Sequence, residues 1–383
     1  MNNKKNIALF VASIGYGGTE RVVSKLANEL INYYNVTLVL IYNSIDLPIH
    51  DDVNIVCISD KEEHFDNSKW LKLSNFLRSA LKYRKIIKEH EIDISISFLI
   101  KQNVINGFTK MLNPSLKTII SERCFPSKTY GLFGKQLVAF FYNKNDSLFS
   151  NSLHINADLQ ENFNVKIPAK VIYNPIYTQD QKPDFKAFND AKENFKVISV
   201  GRLIPIKNQE SLIQSIALLD PKTTLNLYGV GPLEEELKAL SSTLKLTERI
   251  HFNGNSDTIN QSILENHCLA LTSLSEGFPN VILEAMSLGV PVVATNCMSG
   301  PLELLNDNIE ITIDKGDFYK AKYGLLVNVD DTEGLAKAIS YYREHEELRK
   351  KYSDLSFKKA KQYDISEIGN QLKNLIDAHL CVE

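Results

Sequence analysis

The sequence predicts an α/β protein of two parallel-sheet lobes, and three observations predict it. At 383 residues the chain is too long for one typical domain and suits two. Short apolar runs alternate with helical apolar spacing along the chain, the pattern of parallel strands joined by crossover helices. One stretch, Ser275 to Pro291 (SEGFPNVILEAMSLGVP), carries that unit in miniature. The strand-like run Leu269 to Thr272 precedes it. Its own Val281, Ile282, Ala285, Met286 and Leu288 have helical spacing, and a short strand, Val292 to Ala294, follows. Its loop falls at the carboxyl end of a strand, where open α/β sheets bind ligands.

Composition narrows the class. Hydrophobic residues at 44% and charged residues at 23% are those of a soluble globular protein. The five cysteines (Cys57, Cys124, Cys268, Cys297, Cys381) form no C-x-x-C pair and no metal-ligand spacing with the eight histidines. Reduced, buried or incidental thiols in a cytoplasmic protein are the favoured reading. The basic start MNNKKNIALFVAS invites comparison with a signal peptide. Its apolar run, however, covers just Ile7 to Ala12 and enters a glycine loop without a clean small-residue cleavage site, so it reads as the first buried strand. No apolar run approaches the roughly 20 residues that span a bilayer. The net charge of −3 divides unevenly: residues 1–175 carry 21 Lys+Arg against 16 Asp+Glu, the remainder 22 against 30. A basic first half expects an anionic counterpart: a membrane surface, a pyrophosphate or, ranked last for want of a motif, nucleic acid.

In the first lobe, strands are expected at Ile7 to Val11, Val36 to Tyr42, Asn54 to Ile58, Ile92 to Phe98, Lys117 to Ser121, Leu148 to Asn151 and Lys170 to Tyr173. The loop after the first holds Gly15, Gly17, Gly18 and Glu20. Gly15 and Gly17 fit G-x-G, but Glu20 occupies the third position, so the dinucleotide fingerprint fails. A Gly-Gly step before a helix still lets backbone approach a ligand, and a plain tight turn explains it equally well. Lys69 to Lys88 reads as a helix carrying Lys69, Lys72, Arg78, Lys82, Arg84, Lys85 and Lys88 and no acid. Trp70, Leu73, Phe76, Leu77, Leu81 and Ile86 form its apolar side. It is either a surface helix of the lobe or a basic amphipathic helix for an anionic leaflet or a pyrophosphate. Phe125 to Tyr142 is rich in aromatic residues, with Lys128 and Lys135 inside it and Lys144 after it. An acceptor or membrane surface is one reading. Ordinary packing is the stronger one for Val138 to Tyr142. The polar run Gln179 to Asn194, with Pro183, is the natural linker.

In the second lobe the strand Val197 to Val200 leads into Gly201-Arg202-Leu203, and Lys207-Asn208 is expected to open a helix running to about Leu219. Two cations five apart across such a loop can converge on a diphosphate, Arg202 as a fork and Lys207 as a point charge; two surface cations are the plainer alternative. Leu225 to Gly229 with Gly231-Pro232-Leu233-Glu234 reads as strand, turn and helix. Ile250 to Phe252 ends at Gly254-Asn255. Glu276 and Glu284 frame the Ser275–Pro291 loop. The backbone N–H groups from Phe278 to Val281 sit at a helix start that attracts phosphate, which leaves the carboxylates for hydroxyls such as those of a sugar. An ordinary helix connection would carry the same residue types. Gly300-Pro301-Leu302-Glu303 begins a short helix, Gly324 to Val327 is a late strand and Ile365 to Leu380 a closing helix.

Taken together these motifs resemble the retaining glycosyltransferases of family four. Glu276 and Glu284, with Gly277 and Pro279 between them and Ala285, Gly289 and Pro291 beyond, are similar to that family's E-x7-E signature. The Gly17-Gly18-Thr19-Glu20 loop resembles its G-G-x-E loop, Gly201-Arg202-Leu203 with Lys207-Asn208 its G-R-L…K-N pattern, and Gly229 to Pro232 its G-x-G-P turn. The resemblance implies the GT-B fold, two Rossmann-like lobes facing across a cleft. Residues 1–175, joined by a closing helix at about 365–383, would be the acceptor-side lobe, and 176–364 the nucleotide-sugar-binding lobe. It implies retaining transfer of a hexose or N-acetylhexosamine from a nucleotide-sugar, UDP-linked, to a glycan on a polyprenyl-pyrophosphate in surface polysaccharide assembly. The location implied is the cytoplasm or the inner face of the plasma membrane.

By the same resemblance Glu276 holds the donor sugar hydroxyls, Glu284 the ribose, and Arg202 and Lys207 the diphosphate. Gly17, Gly18, Asn255, Gly277, Phe278, Pro279, Asn280 and Val281 line the donor. Arg123 stands where many members carry a histidine. An arginine stays charged at neutral pH and cannot serve as general base, so Arg123 joins Lys72 and Arg78 as a candidate for an anionic group on the acceptor. No D-x-D triplet occurs in the sequence, which fits a site without a metal or other cofactor. Two rivals stay open: a GT-B epimerase or phosphorylase, and a non-catalytic two-lobed sugar-binding protein, which has no need of the diphosphate cations.

Overall fold

The structure is a computed structural model, and it describes residues 4–59, 73–183, 191 and 193–381. The chain divides into two compact units, Met1–Pro175 with Ile365–Glu383, and Ile176–Asp364. Each holds one seven-stranded sheet.

The strands of the first unit are β1 Asn6–Val11, β2 Asn35–Tyr42, β3 Asn54–Ser59, β4 Ile94–Phe98, β5 Lys117–Glu122, β6 Ser147–Ser150 and β7 Ala169–Val171. They lie in the order β3-β2-β1-β4-β5-β6-β7, all parallel. Both faces are covered, and β1 shows why its sequence is continuously apolar. Ile7, Leu9 and Val11 enter the core on one face, and Ala8 and Phe10 the core on the other.

The closing helix Ile365–Leu380 lies against the helix Gly18–Leu30. Its Ile368, Leu372, Leu375 and Ile376 join the core that contains Leu26 and Leu30, and Tyr34 Oη donates to Asp377 Oδ1 at 2.6 Å. Gly369 is the contact point, since a Cβ there would fall 2.6 Å from Glu29 Cγ.

The basic helix is seen as Leu73–Glu89. Lys69, Trp70 and Lys72 lie outside the described residues. The buried side of this helix matches the expected one at Ile86 and Phe76 but is otherwise made by Ala80, Tyr83 and Ile87, while Leu77 and Leu81 are exposed. Tyr83 sets the rotation. Its ring stacks on Phe10 at 4.0 Å, and its hydroxyl meets Ser95 Oγ at 2.5 Å.

In the second unit β8 Phe195–Val200, β9 Thr223–Tyr228, β10 Ile250–Phe252, β11 Cys268–Leu271, β12 Val292–Thr295, β13 Phe318–Lys320 and β14 Leu325–Val327 take the order β10-β9-β8-β11-β12-β14-β13. The edge strand β13 pairs antiparallel to β14, and the others are parallel. Sequence reading did not anticipate β13, whose three residues are too few to establish a period. Lys207 and Asn208 also depart from expectation. Pro205–Lys207 is a single 3-10 turn and Asn208 is left-handed (φ 49), so the α-helix begins at Gln209. Asparagine tolerates that conformation better than most residues. The break turns Lys207 out of the helix and back over the strand ends.

No helix among the described residues is long and apolar enough to cross a membrane.

Candidate functional site

In the second unit the carboxyl ends of β8, β9, β11 and β12 bring together the loops that the sequence singled out. Two close backbone approaches fix the first of them. A Cβ on Gly229, whose φ is +129, would strike the Gly201 carbonyl, and one on Gly231 would strike that of Leu203. With both glycines present, Gly201 N donates to Tyr228 O at 2.9 Å and Leu203 N to Val230 O at 3.0 Å.

The turn that follows is tied to β11. Leu274 N donates to Ile206 O at 2.8 Å, and Thr272 Oγ1 donates to Lys207 O at 3.0 Å. Asn208 Nδ2 reaches Asp330 Oδ1 at 2.7 Å, and Gln209 Nε2 reaches Arg202 O at 2.9 Å. Lys207 is therefore held by its backbone on both sides.

On the other side, Thr295 Oγ1 donates to Ser273 O at 2.6 Å, Glu276 N to Met298 O at 3.3 Å, and Ser299 Oγ to Gly277 O at 2.6 Å. Gly300, with φ +91, allows this packing, since a Cβ there would lie 2.5 Å from Pro279 Cδ.

Glu276 sits between these two anchored loops. Its Oε1 accepts from Lys207 Nζ at 2.6 Å and from Ser273 Oγ at 2.5 Å, and the side chains of Lys207 and Glu276 are 24% and 10% exposed. Both donors use the same oxygen, and Oε2 has no partner among the described residues. Ser273, itself wholly buried, was missed by sequence reasoning. Its spacing of three before Glu276 was the available signal. Arg202 projects from the loop after β8 as an exposed side chain, and its guanidinium takes no hydrogen-bond partner among the described residues.

The helix Asn280–Ser287 starts at Pro279 without a side-chain cap. Ile282 N at this start donates to Pro279 O at 3.1 Å, and the positive end of the helix dipole lies here. Glu284 lies one turn in and is half-buried, as are Gly277, Asn280 and Val281. Phe278 and Pro279 are buried, with the Phe278 ring 5.9 Å from that of Tyr363. Asn255 is exposed in the loop after β10, beyond Gly254, whose carbonyl accepts from Gly229 N at 2.7 Å. Burial raises the nearby Cys297 thiol to about 12, and the Glu276 charge adds to the rise.

The first-unit candidates stand apart from one another. Gly17 and Gly18 are exposed at the end of β1, where Gly17 caps the helix Gly18–Leu30. Arg78 is an exposed cation on Leu73–Glu89. Arg123 is not an open cation, being 6% exposed. Its guanidinium carbon lies 5.0 Å from the Phe149 ring and 5.5 Å from the Phe98 ring, and Nη1 donates to Asn174 Oδ1 at 2.8 Å. Its Nε and Nη2 are buried without partners. Burial pulls its pKa down to about 9, opposed by the charge of Glu122.

Glu122 is a second buried group that the sequence did not single out. It accepts from Tyr142 Oη at 2.7 Å, from Tyr130 Oη at 3.0 Å, and from the backbone N–H groups of Arg123 and Cys124. Burial raises its pKa, against the pull of these donors.

Two parallel-sheet α/β units, the second carrying a lysine–glutamate pair between anchored strand-end loops and an uncapped helix start, define a protein of the GT-B class. The fold is shared with HepE of Anabaena, solved with UDP and glucose, at a TM-score of 0.77 and 20% identity over 98% of this chain and all of HepE. It is shared too with sucrose-phosphate synthase of Thermosynechococcus elongatus, at 0.83 and 15% over 99% of this chain and all of that one. Residues 180–359 match the family described as glycosyl transferases group 1. A Campylobacter jejuni N-acetylgalactosamine-N,N'-diacetylbacillosaminyl-diphospho-undecaprenol 4-alpha-N-acetylgalactosaminyltransferase is 31% identical over 97% of this chain and 100% of its own length. The chain belongs to this family of glycosyltransferases.

Proposed function

We propose that the protein is a retaining transferase that moves a hexose or N-acetylhexosamine from a UDP-sugar to a glycan carried on a polyprenyl pyrophosphate, during surface-glycan assembly at the inner face of the membrane and without a metal ion. The observation that carries this reading is the Lys207–Glu276–Ser273 arrangement. A carboxylate with one oxygen doubly occupied keeps the other for a sugar hydroxyl. Its lysine partner is poised to share its charge with a diphosphate. Arg202, exposed and unpaired among the described residues, adds the second cation, the N–H groups at the start of Asn280–Ser287 add a third source of positive potential, and Glu284 takes the ribose. The names of the relatives support the acceptor class. The Campylobacter relative is named for a diphospho-undecaprenol acceptor, and a second one, 25% identical over 97% of this chain, is named for a PP-undecaprenol glycan.

In this reaction the bond from the anomeric carbon to the β-phosphate oxygen breaks as the acceptor oxygen attacks from the same face, and the departing phosphate takes the acceptor proton. The enzyme's largest contribution is electrostatic, through Arg202 and Lys207 on the leaving diphosphate. Of the first-unit candidates, the exposed Arg78 is the cation for the acceptor pyrophosphate, whereas the buried Arg123 is bonded to Asn174. Asn255, in the loop after β10 of the second unit, adds a polar group to the donor's surroundings.

The test is calorimetry with a panel of UDP- and GDP-sugars, with and without EDTA, on the wild type and Glu284→Ala, followed by transfer to a polyprenyl-pyrophosphate glycan. One UDP-sugar should bind regardless of EDTA, bind far more weakly to Glu284→Ala, and leave its sugar on the acceptor with the donor's anomeric configuration. Release of an epimer or free sugar from donor alone would replace this reading with the epimerase alternative, and turnover that needs free phosphate would replace it with the phosphorylase one.

A further inference from the structure

Lys207 is followed at once by a backbone reversal, and the side chain that meets this reversal lies far along the chain. Asn208 is left-handed, with φ 49. Its Nδ2 donates at 2.7 Å to Oδ1 of Asp330, 122 residues further on. Asp330 is left-handed as well, with φ 58. Two residues with Cβ atoms therefore hold a conformation that glycine takes without steric cost, and their side chains bond to each other.

The Asp330 end of this bond is fixed independently of the site. Asp330 closes the turn between β14 and the helix Thr332–Glu344, and its neighbour Asp331 is buried. Asp331 Oδ2 accepts from Gly316 N at 2.7 Å, and its Oδ1 caps the helix by accepting from Gly334 N at 2.9 Å. Leu335 and Ile339 of that helix share the second core with Leu212 and Ile213 of the helix Gln209–Ala217. The Asn208 end leads to both cations of the site. Lys207 precedes it in the chain, and Gln209, which is buried, donates from Nε2 to Arg202 O at 2.9 Å.

We infer that Asp330 is a positioning residue of the donor site, a tether that acts through Asn208 to hold the backbone of Lys207 and, by way of Gln209, that of Arg202. The inference rests on the reading of these two cations as partners of the diphosphate, and adds what keeps them in place. Charge allows a test by sign. A carboxylate near a diphosphate repels it, so if Asp330 acted by charge alone its removal would tighten UDP binding. A tether acts in the other direction. An anchored turn presents its cations without being ordered by the ligand, and loss of the anchor weakens binding.

The experiment is calorimetry of the full chain with UDP and with uridine, which lacks the diphosphate. Asp330→Gly removes the acceptor and suits the left-handed backbone, so the change falls on the bond rather than on the turn. It should weaken UDP binding about three- to ten-fold, the scale of one net hydrogen bond, and leave uridine affinity unchanged. Asn208→Gly should weaken UDP binding to the same extent, and the two changes together no further than either alone. Asp330→Asn keeps an acceptor oxygen without the charge and should recover most of the lost affinity. The inference is overturned if Asp330→Gly binds UDP as tightly as the wild type or more tightly. It is overturned too if UDP and uridine weaken equally, the result of a merely structural role, or if the Asp330→Gly and Asn208→Gly losses add in full. A wild type that binds no UDP would overturn the donor reading and this inference with it, whereas UDP binding that ignores Asp330→Gly overturns the inference alone.

Discussion

At the scale of single residues, Glu276 shows how much can depend on which oxygen is occupied. With Ser273 and Lys207 both on Oε1, rotation of the carboxylate is opposed from two directions. Ser273→Ala should therefore lower kcat/KM roughly ten- to hundred-fold, the scale of one hydrogen bond to a charged group, while UDP affinity and melting temperature hold. Loss of UDP binding together with turnover would show that Ser273 serves the loop rather than the carboxylate. Glu122 makes the opposite case, a buried acceptor surrounded by donors. Glu122→Gln would turn an N–H group toward hydroxyls and backbone N–H groups that now donate to it, and should cost about 2 kcal/mol or more in urea denaturation. A pH dependence follows from the thiols. Burial raises Cys268 and Cys297 to about 12, so the folded chain keeps protons that the unfolded chain releases above the ordinary thiol value. Stability should fall as pH rises through that window, by about 1.4 kcal/mol per unit for each thiol, and the Cys268→Ala, Cys297→Ala pair should flatten the decline.

At the scale of elements, legibility follows locality. Glu276, Glu284, Arg202 and Lys207 could be singled out from the sequence because each belongs to a short motif whose spacing is fixed by one turn or one helix. The Glu122–Tyr130–Tyr142 network could not, because its members are 8 and 20 residues apart and meet only through packing of the helices on the sheet. Over its described residues, Leu73–Glu89, the basic segment is helical as expected and Ile86 and Phe76 pack inward, but Leu77 and Leu81 do not. Leu77 and Leu81 outrank Ala80 and Tyr83 in apolarity, yet Tyr83 alone finds both a ring to stack on and a hydroxyl to bond. The 3-10 turn at Pro205–Lys207 and the short β13 fall below the length at which periodicity speaks. One element invites a direct test. A chain ending at Asp364 loses Ile368, Leu372, Leu375 and Ile376 from the first core. At about 1.5–3 kcal/mol for each buried side chain the loss rivals the whole stability of a domain. Hydrogen exchange should then find the amides of β1 and β2 unprotected while those of β8 and β11 stay protected; protection in β1 would show that the closing helix is dispensable.

At the scale of the molecule, the alternation of strands and helices was enough to predict two parallel-sheet units, since a parallel strand covered on both faces has little choice but a continuous apolar run. Which unit the closing helix joins is decided by a set of side chains, Ile365, Ile368, Leu372, Leu375 and Ile376, that lies nearly two hundred residues beyond Pro175. That arrangement has a consequence for how the protein is made. Synthesis runs from the amino end, so every residue of Ile176–Asp364 leaves the ribosome before the helix that completes the first unit exists. The later-encoded half can be finished first. The earlier-encoded half waits with an open greasy seam along Gly18–Leu30, and a polypeptide released too soon presents that seam to chaperones and proteases.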